Sequence, residues 1–597
     1  MENIYILGIS AFYHNSAAAL VKNGEVVCAC EEERFTRKKG DSAFPINAIM
    51  YCLEQESLTF EDIRRVVYYE DPAEKFGRIL INSLVSAPGG IRQFLNSIPL
   101  WIEDKLWVQK TIINELGITN EKLVCLNHHL SHAAAAFYPS PFSSAAVLTI
   151  DGVGEWTTTA WGTCQGSDIE LREELRFPNS LGLLYSAFTF YTGFKINDGE
   201  YKMMGLAPYG KPIYADLIKK HLIKIGDDGS FVLNLKYFSY TKTMRTINAK
   251  FEKLFGRPAR KPESEIEPFY ADIAASIQEV TNEIILKLAK NIKEKTGEEN
   301  LVLAGGVALN ITAMGKLRNN GIFENVWIQP AAGDSGSALG AALYTYYRET
   351  NDTRIPVQKF TPFLGYEIKN NDEKDNELLR NLGGVWTTHS DDELAKKIAD
   401  LISKGNTVAV ARGKAEFGPR ALGNRSVLAD ARDPDMLSRL NLKIKFREGF
   451  RPFAPVVLKE DAANYFEIKN SSPYMLFSFP VKKERRKDFA FGNSLIETAS
   501  AIRSDIPAVT HVDYSARAQT VDKDDSLFLR KVLREYKKNT KCSVLVNTSF
   551  NVRGEPIVNN AVDAYKCFMK SGLDFAVIGN RLFSKQQQER SCKDAGK

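Results

Sequence analysis

The sequence predicts an α/β protein of at least two domains, the first built from two copies of one strand-turn-strand unit and the second a more basic α/β segment. Three observations predict it. Ile4 to Ser10, Ala17 to Lys22 and Glu25 to Cys30 are apolar runs separated by the turn formers Tyr13-His14-Asn15 and Asn23-Gly24, which makes a three-strand meander. About 140 residues later, AAVLTIDGVGEWTTTAWGTC from Ala145 repeats a buried strand, a glycine turn and a second strand. The polar, proline-bearing stretch ETNDTRIPVQKFTP, residues 349–362, has no periodicity and reads as a linker, which places the boundary between 354 and 355.

The remaining elements follow in order. Residues 46–118 carry helical spacing, and the aromatic stretch IPLWIEDKLWVQKTI within them is a packing helix. Tyr270 to Lys295 is helical throughout and feeds the strand Leu301 to Leu303. A further strand, Val326 to Gln329, ends in PAAGDSGSALGAAL, a glycine turn opening a helix of small residues. The second domain covers 355–583, and the polar SKQQQERSCKDAGK, residues 584–597, is expected to be a disordered tail.

Composition narrows the function classes. The 78 basic and 73 acidic side chains leave +5 over 597 residues, so no global field calls for nucleic acid or an anionic membrane as partner. Any anion site is therefore local. The eight cysteines form no C-x-x-C pair and are expected to be reduced thiols. The chain starts Met-Glu-Asn without a signal-peptide layout and holds no apolar run of membrane-spanning length, so a cytoplasmic location is expected. Oligomeric state stays open.

Three small-residue turns follow predicted strands: Gly8-Ile9-Ser10, Asp151-Gly152-Val153-Gly154, and Gly305-Gly306 with Gly333-Asp334-Ser335-Gly336. Glycine lets backbone N–H groups approach phosphate oxygens, and a helix N-terminus adds positive dipole charge. Gly8, Ser10, Asp151, Gly152, Gly305, Gly306, Gly333 and Ser335 are thus candidate nucleotide-binding residues. The layout resembles the actin, hexokinase and Hsp70 superfamily, in which two lobes close over ATP.

Three of only seven histidines fall in Asn127-His128-His129-Leu130-Ser131-His132. His128 and His132 are four apart, so on a helix they share a face and can bind one metal ion, with Asp334 as the carboxylate of a mixed site suited to iron, zinc or manganese.

The segments ILGISAFYHNSAAAL, EEERFTRKKGDSAFP, HHLSHAAAAFYPS, IDGVGEW, YKMMGLAPYGKP, LAGGVALN and AAGDSGSALGAAL resemble the tRNA threonylcarbamoyladenosine-forming fold. They are still more similar to the O-carbamoyltransferases of antibiotic biosynthesis and nodulation-factor synthesis. The resemblance implies that His128, His132 and Asp334 hold the metal, Fe(II) first among the candidates, and that the Gly and Asp turns hold ATP. It also implies His14 as the group nearest the acceptor hydroxyl, where an imidazole can act as general base.

Residues 410–455 set Arg412, Arg420, Arg425, Lys443, Lys445, Arg447 and Arg451 among glycines, prolines and aromatic residues. Such a stretch is no surface helix, and arginine on a turn makes a fork for phosphate or carbamoyl oxygens. Interspersed acids, among them Glu416, Asp430 and Glu448, count against a nucleic-acid groove. This stretch, with His511-Val512-Asp513, Arg517-Ala518-Gln519 and Val546-Asn547-Thr548-Ser549, resembles the second O-carbamoyltransferase domain, itself similar to threonylcarbamoyl-adenylate synthase. By that resemblance Arg420, Lys443, Arg447, Arg517 and Asn547 bind carbamoyl phosphate and ATP with its Mg, and Lys39 reaches over from the first domain. The expectation is activation of carbamoyl phosphate as carbamoyl-adenylate and transfer to a hydroxyl of a small molecule, natural product or sugar. A tRNA-modifying threonylcarbamoyl transferase and a non-catalytic nucleotide-binding regulator are the alternatives.

Overall fold

The computed structural model describes residues 3–85, 108–242, 245–445, 447–492, 494–523 and 527–589. Two compact units divide the chain: one takes the residues up to Glu32 and Asp41–Phe360, the other Glu33–Gly40 and the chain from Thr361 onward.

The first unit repeats one sheet. Strands β1 (Tyr5–Ser10), β2 (Ala17–Lys22), β3 (Glu25–Glu31), β4 (Ile63–Tyr68) and β5 (Leu123–Cys125) lie in the order β3-β2-β1-β4-β5. Strands β6 (Ser144–Ile150), β7 (Thr157–Gln165), β8 (Asp168–Arg176), β9 (Asn300–Ala304) and β10 (Asn325–Ile328) lie in the order β8-β7-β6-β9-β10. In both, an antiparallel meander is extended by two parallel strands. The duplicated α/β layout is therefore present strand for strand.

Helices α1 (His128–Phe137), α2 (Pro268–Thr296) and α3 (Asp334–Thr350) carry the core and the site. Helix α3 packs on α1, β1 and β2, and every residue from Asp334 to Leu343 is buried. The α1–α3 approach requires Gly340, since a Cβ there would lie 2.0 Å from the Ser131 carbonyl oxygen.

Several expectations need correction. The helical reading of 46–118 overlooks β4: Ile63, Val66, Val67 and Tyr68 are fully buried in a strand flanked by parallel neighbours, where an apolar run loses its alternation. Of the aromatic stretch, 98–107 lies outside the described residues and Val108–Leu116 is a helix. The proline-bearing linker lacks regular structure from residue 351 yet stays with the first unit through Phe360 rather than ending it at 354. The Arg354 guanidinium anchors it, donating to the carbonyls of Phe137, Tyr138, Ser140 and Phe142. The tail is ordered to residue 589, since Gln588 is buried and bonds both the N–H and C=O of Val385; residues 590–597 lie outside the described residues.

The second unit holds a mixed eight-stranded sheet, β11 (Thr387–Thr388), β12 (Val408–Ala411), β13 (Arg425–Asp430), β14 (Ala454–Leu458), β15 (Gln519–Val521), β16 (Val544–Ser549), β17 (Phe575–Ile578) and β18 (Arg581–Ser584). Its order is β11-β18-β17-β12-β13-β16-β14-β15. The segment 33–40 is tied in by Arg34, which donates to the Gly418 carbonyl, and by Arg37, which donates to the carbonyls of Pro556 and Ile557. All seven described cysteines are free thiols. No described helix is long and apolar enough to cross a membrane.

Candidate active site

Asn127 caps α1 by accepting from the Leu130 N–H, which starts the helix at His128 and places His128 and His132 one turn apart. Their Nε2 atoms lie 3.1 Å apart. Asp151, at the end of β6, and Asp334, the first residue of α3, complete the group, and one ligand atom from each of the four falls within 4.8 Å of the others. Asp151 Oδ2 stands 3.2 Å from His128 Nε2, and Asp334 Oδ1 stands 3.7 Å from His132 Nε2. All four residues are buried.

The electrostatics follow from that packing. Burial opposes a charge on His128, but the hydrogen bond to Asp151 and the carboxylates of Asp334 and Glu155 outweigh it and hold its pKa up, to about 9. Asp151 resists burial through the two histidines, which hold its carboxyl well below the usual range. His129 behaves oppositely. Its ring sits between Thr149 Oγ1 and the Thr157 carbonyl, and burial, then the charges of His128 and His132, push its pKa far down, so it is a neutral structural histidine.

A cation fits this donor set. Asp334 Oδ1 and His128 Nδ1 are buried without a hydrogen-bond partner among the described residues, and two imidazole nitrogens with two carboxylates suit a first-row divalent ion. Ser337, one turn along α3 from Asp334, meets His132 Nδ1 at 2.9 Å and leaves Nε2 facing the cluster. His14 Nε2 lies 3.7 Å from Asp334 Oδ2, at the partly exposed edge, in a loop whose Phe12 and Asn15 hold positive φ of 70° and 53°.

In the second unit, Arg517 is surrounded by like charge: burial, then Arg420, Arg447 and Arg451, drive its pKa far down. Arg447 is steered by a 2.7 Å bond to Asn441 Oδ1 and by the Phe453 ring. Lys445 is buried, its Nζ donating to Ser549 and Asn551. Arg425 is structural, wholly buried and bonded to the carbonyls of Asn559, Arg412 and Tyr366.

Comparison with known proteins decides the family. A model of the carbamoyltransferase N-terminus matches residues 5–343, and one of the carbamoyltransferase C-terminus matches 399–585. The chain belongs to the carbamoyltransferase family. This carbamoyltransferase is 47% identical to the uncharacterized protein sll1178 of Synechocystis sp., over 99% of this chain and 98% of that one. It is 36% identical to nodulation protein NolNO of Sinorhizobium fredii, over 97% of this chain and 80% of that one. The crystal structure of T. kodakarensis HypF aligns at 15% identity and a TM-score of 0.28, covering 60% of this chain and 49% of that one.

The carbamoyltransferase brings His128, His132 and Asp334 into one cluster, and His14, which the resemblance sets near the acceptor hydroxyl, lies beside Asp334. Asp151, assigned by sequence to phosphate, instead directs its carboxylate into the histidine cluster, and the Gly306 N–H donates to it at 2.8 Å. Gly8 is no phosphate turn. It lies inside β1, where a Cβ would fall 1.9 Å from the Ala338 oxygen, so its glycine serves strand–helix packing. Ser10, at the end of β1, keeps a buried Oγ without a partner among the described residues. Gly152 and Gly333 face open space, Gly305 turns at φ 93°, and Ser335 is buried in the first turn of α3. Lys39 packs with the second unit, so it does not reach over from the first. Asn547 is buried against Gln519 and the Ala421 carbonyl on the loop that carries Arg420. Lys443 lies outside the described side chains. Sequence reasoning missed Ser337, Glu70 and Glu155. Of these only Ser337 carries a signal, its i+3 spacing from Asp334.

Proposed function

We propose that the protein is an ATP-dependent O-carbamoyltransferase. In this reading the second unit uses one water to release phosphate from carbamoyl phosphate, and the resulting carbamate oxygen displaces pyrophosphate from the α-phosphorus of Mg-bound ATP to give carbamoyl-adenylate, through Arg420, Lys443, Arg447 and Arg517, with Lys39 and Asn547 beside them. The first unit then transfers the carbamoyl group to a hydroxyl of a small molecule, natural product or sugar, giving a carbamate ester and AMP. The observation that carries the reading is the buried convergence of His128, His132, Asp151 and Asp334 with His14 at its accessible edge.

His128, His132 and Asp334, with Asp151 beside them, would hold the ion, Fe(II) in the first place and Zn or Mn otherwise, and it would supply Lewis-acid polarisation when bound. His14 would take the acceptor proton, its Nε2 standing 3.7 Å from Asp334 Oδ2. Buried free thiols support a reducing, cytoplasmic setting. The test incubates the protein with ATP, carbamoyl phosphate and candidate hydroxyl acceptors, and follows pyrophosphate together with acceptor mass. A mass increase of one carbamoyl group with matching pyrophosphate is expected; carbamoylation without pyrophosphate would remove the adenylate from the scheme.

A further inference from the structure

The Arg78 guanidinium is a buried cation that forms no ion pair and no hydrogen bond among the described residues. It stands on the helix Pro72–Val85, is 7% exposed, and among the described residues it meets no carboxylate and no hydrogen-bond acceptor. Its guanidinium lies 5.3 Å from the centroid of the Phe177 ring, and Glu70 and Glu155 act on it through space. A desolvated guanidinium without a partner is costly, and a protein retains one where a ligand completes it.

Its neighbours tie it to the histidine cluster. One turn earlier on the same helix face, Lys75 is buried and bonds Glu70 at 2.5 Å, and its Nζ lies 4.6 Å above the Tyr13 ring. Tyr13 in turn packs on His14 with ring centroids 4.9 Å apart, and Glu70 stands 3.9 Å from His128 Nδ1. Glu70 pairs with Lys75, whereas Arg78 feels Glu70 and Glu155 only through space and makes no ion pair among the described residues. The exposed edge formed by Tyr13 and His14 gives a ligand access.

We propose that Arg78, with Lys75 beside it, binds an oxyanion, a phosphate or carboxylate, of a substrate held at the carbamoyl-transfer site. The inference rests on the transfer function proposed above for the first unit. Two sources share this chemistry: the phosphate of the adenylate donor and an anionic group on the acceptor. Phe177 packs beside the guanidinium, whose N–H fork can meet two oxygens of one oxyanion.

The test uses the full chain carrying Arg420→Ala, so that phosphate binding in the second unit does not mask the site. Calorimetric titration with inorganic phosphate should show a remaining site that Arg78→Gln weakens about 10- to 100-fold, the loss of one charge-assisted contact. Arg78→Lys should retain part of the affinity. AMP binding more tightly than adenosine, with the advantage lost in Arg78→Gln, assigns the oxyanion to the donor; equal binding of the two, with a raised acceptor KM in Arg78→Gln alone, assigns it to the acceptor. Thermal melting separates a packing role. Removing a buried charge that has no ion-pair partner should leave Tm unchanged or raise it, whereas a structural cation–π anchor would lower it. Phosphate affinity unaltered by Arg78→Gln overturns the proposal. Pyrophosphate release by the Arg78→Gln single variant should equal wild type; its absence from wild type itself would instead remove the two-step function and leave the binding result standing.

Discussion

In the first unit two imidazoles face two carboxylates within 4.8 Å, so opposite charges offset one another; in the second, Arg420, Arg447 and Arg451 set like charge against buried Arg517, with Glu448 3.7 Å from Arg451. The first centre is built to stay assembled before its ligand arrives, held by Asn127, Ser337 and the Gly306 N–H. On the proposed function, an anionic substrate would offset the like charge around Arg517 in the second. Preorganisation by attraction suits a resident ion, and preorganisation by repulsion suits an anionic substrate that must enter and leave on every cycle.

Breaking the attractive centre should have the largest effect. His128→Ala or His132→Ala should remove bound metal and abolish transfer while pyrophosphate formation continues, as read by elemental analysis and the two product assays. Loss of both half-reactions together would end the separation of the two centres. Treatment with a chelator should reproduce this pattern, with activity restored by re-adding the ion. His14→Asn comes next: transfer should fall about 10²- to 10⁴-fold with metal content unchanged, the contribution of a positioned base. A turn histidine replaced by Asn would cost little, so wild-type transfer would rule the base out.

Arg420→Ala should slow pyrophosphate release by the equivalent of roughly 1.5 to 3 kcal/mol and spare metal binding, which a paired metal and pyrophosphate measurement checks. Ser337→Ala should weaken metal affinity by about 10- to 100-fold without emptying the site at saturating ion, and Ser337→Thr should restore most of it. The smallest effect sharpens the contrast itself. Arg517→Met should raise Tm slightly in phosphate-free buffer, while phosphate should stabilise wild type more than the variant; a fall in Tm would show Arg517 held by attraction after all.

Much of this architecture is legible in the residues. The meander of β1, β2 and β3, the helix over Tyr270 to Lys295 and the histidine pair follow from period and spacing alone. Asp151 was legible as a functional acid but not as a neighbour of the histidines, because its place depends on β6 ending beside α1, a contact 23 residues apart in the chain. Gly8 misled because a glycine beneath a helix and a glycine in a phosphate turn leave the same mark in sequence. Arg354 shows the same limit: a polar, proline-bearing stretch looks like a linker, and the four carbonyls that fix it come from another element.

The excursion of residues 33–40 into the second unit has a consequence for how the protein is made. Arg34 and Arg37 leave the ribosome early, yet their carbonyl partners at Gly418 and Ile557 lie 384 and 520 residues further along. At ordinary synthesis rates of about 5–20 residues per second, the Arg37 partner emerges roughly half a minute to two minutes later. The first unit can assemble around that gap, but the second cannot close until its last strands return to a segment translated at the start. Separately expressed halves cut after Phe360 would therefore lack this closure, and supplying residues 33–40 as a peptide should restore it.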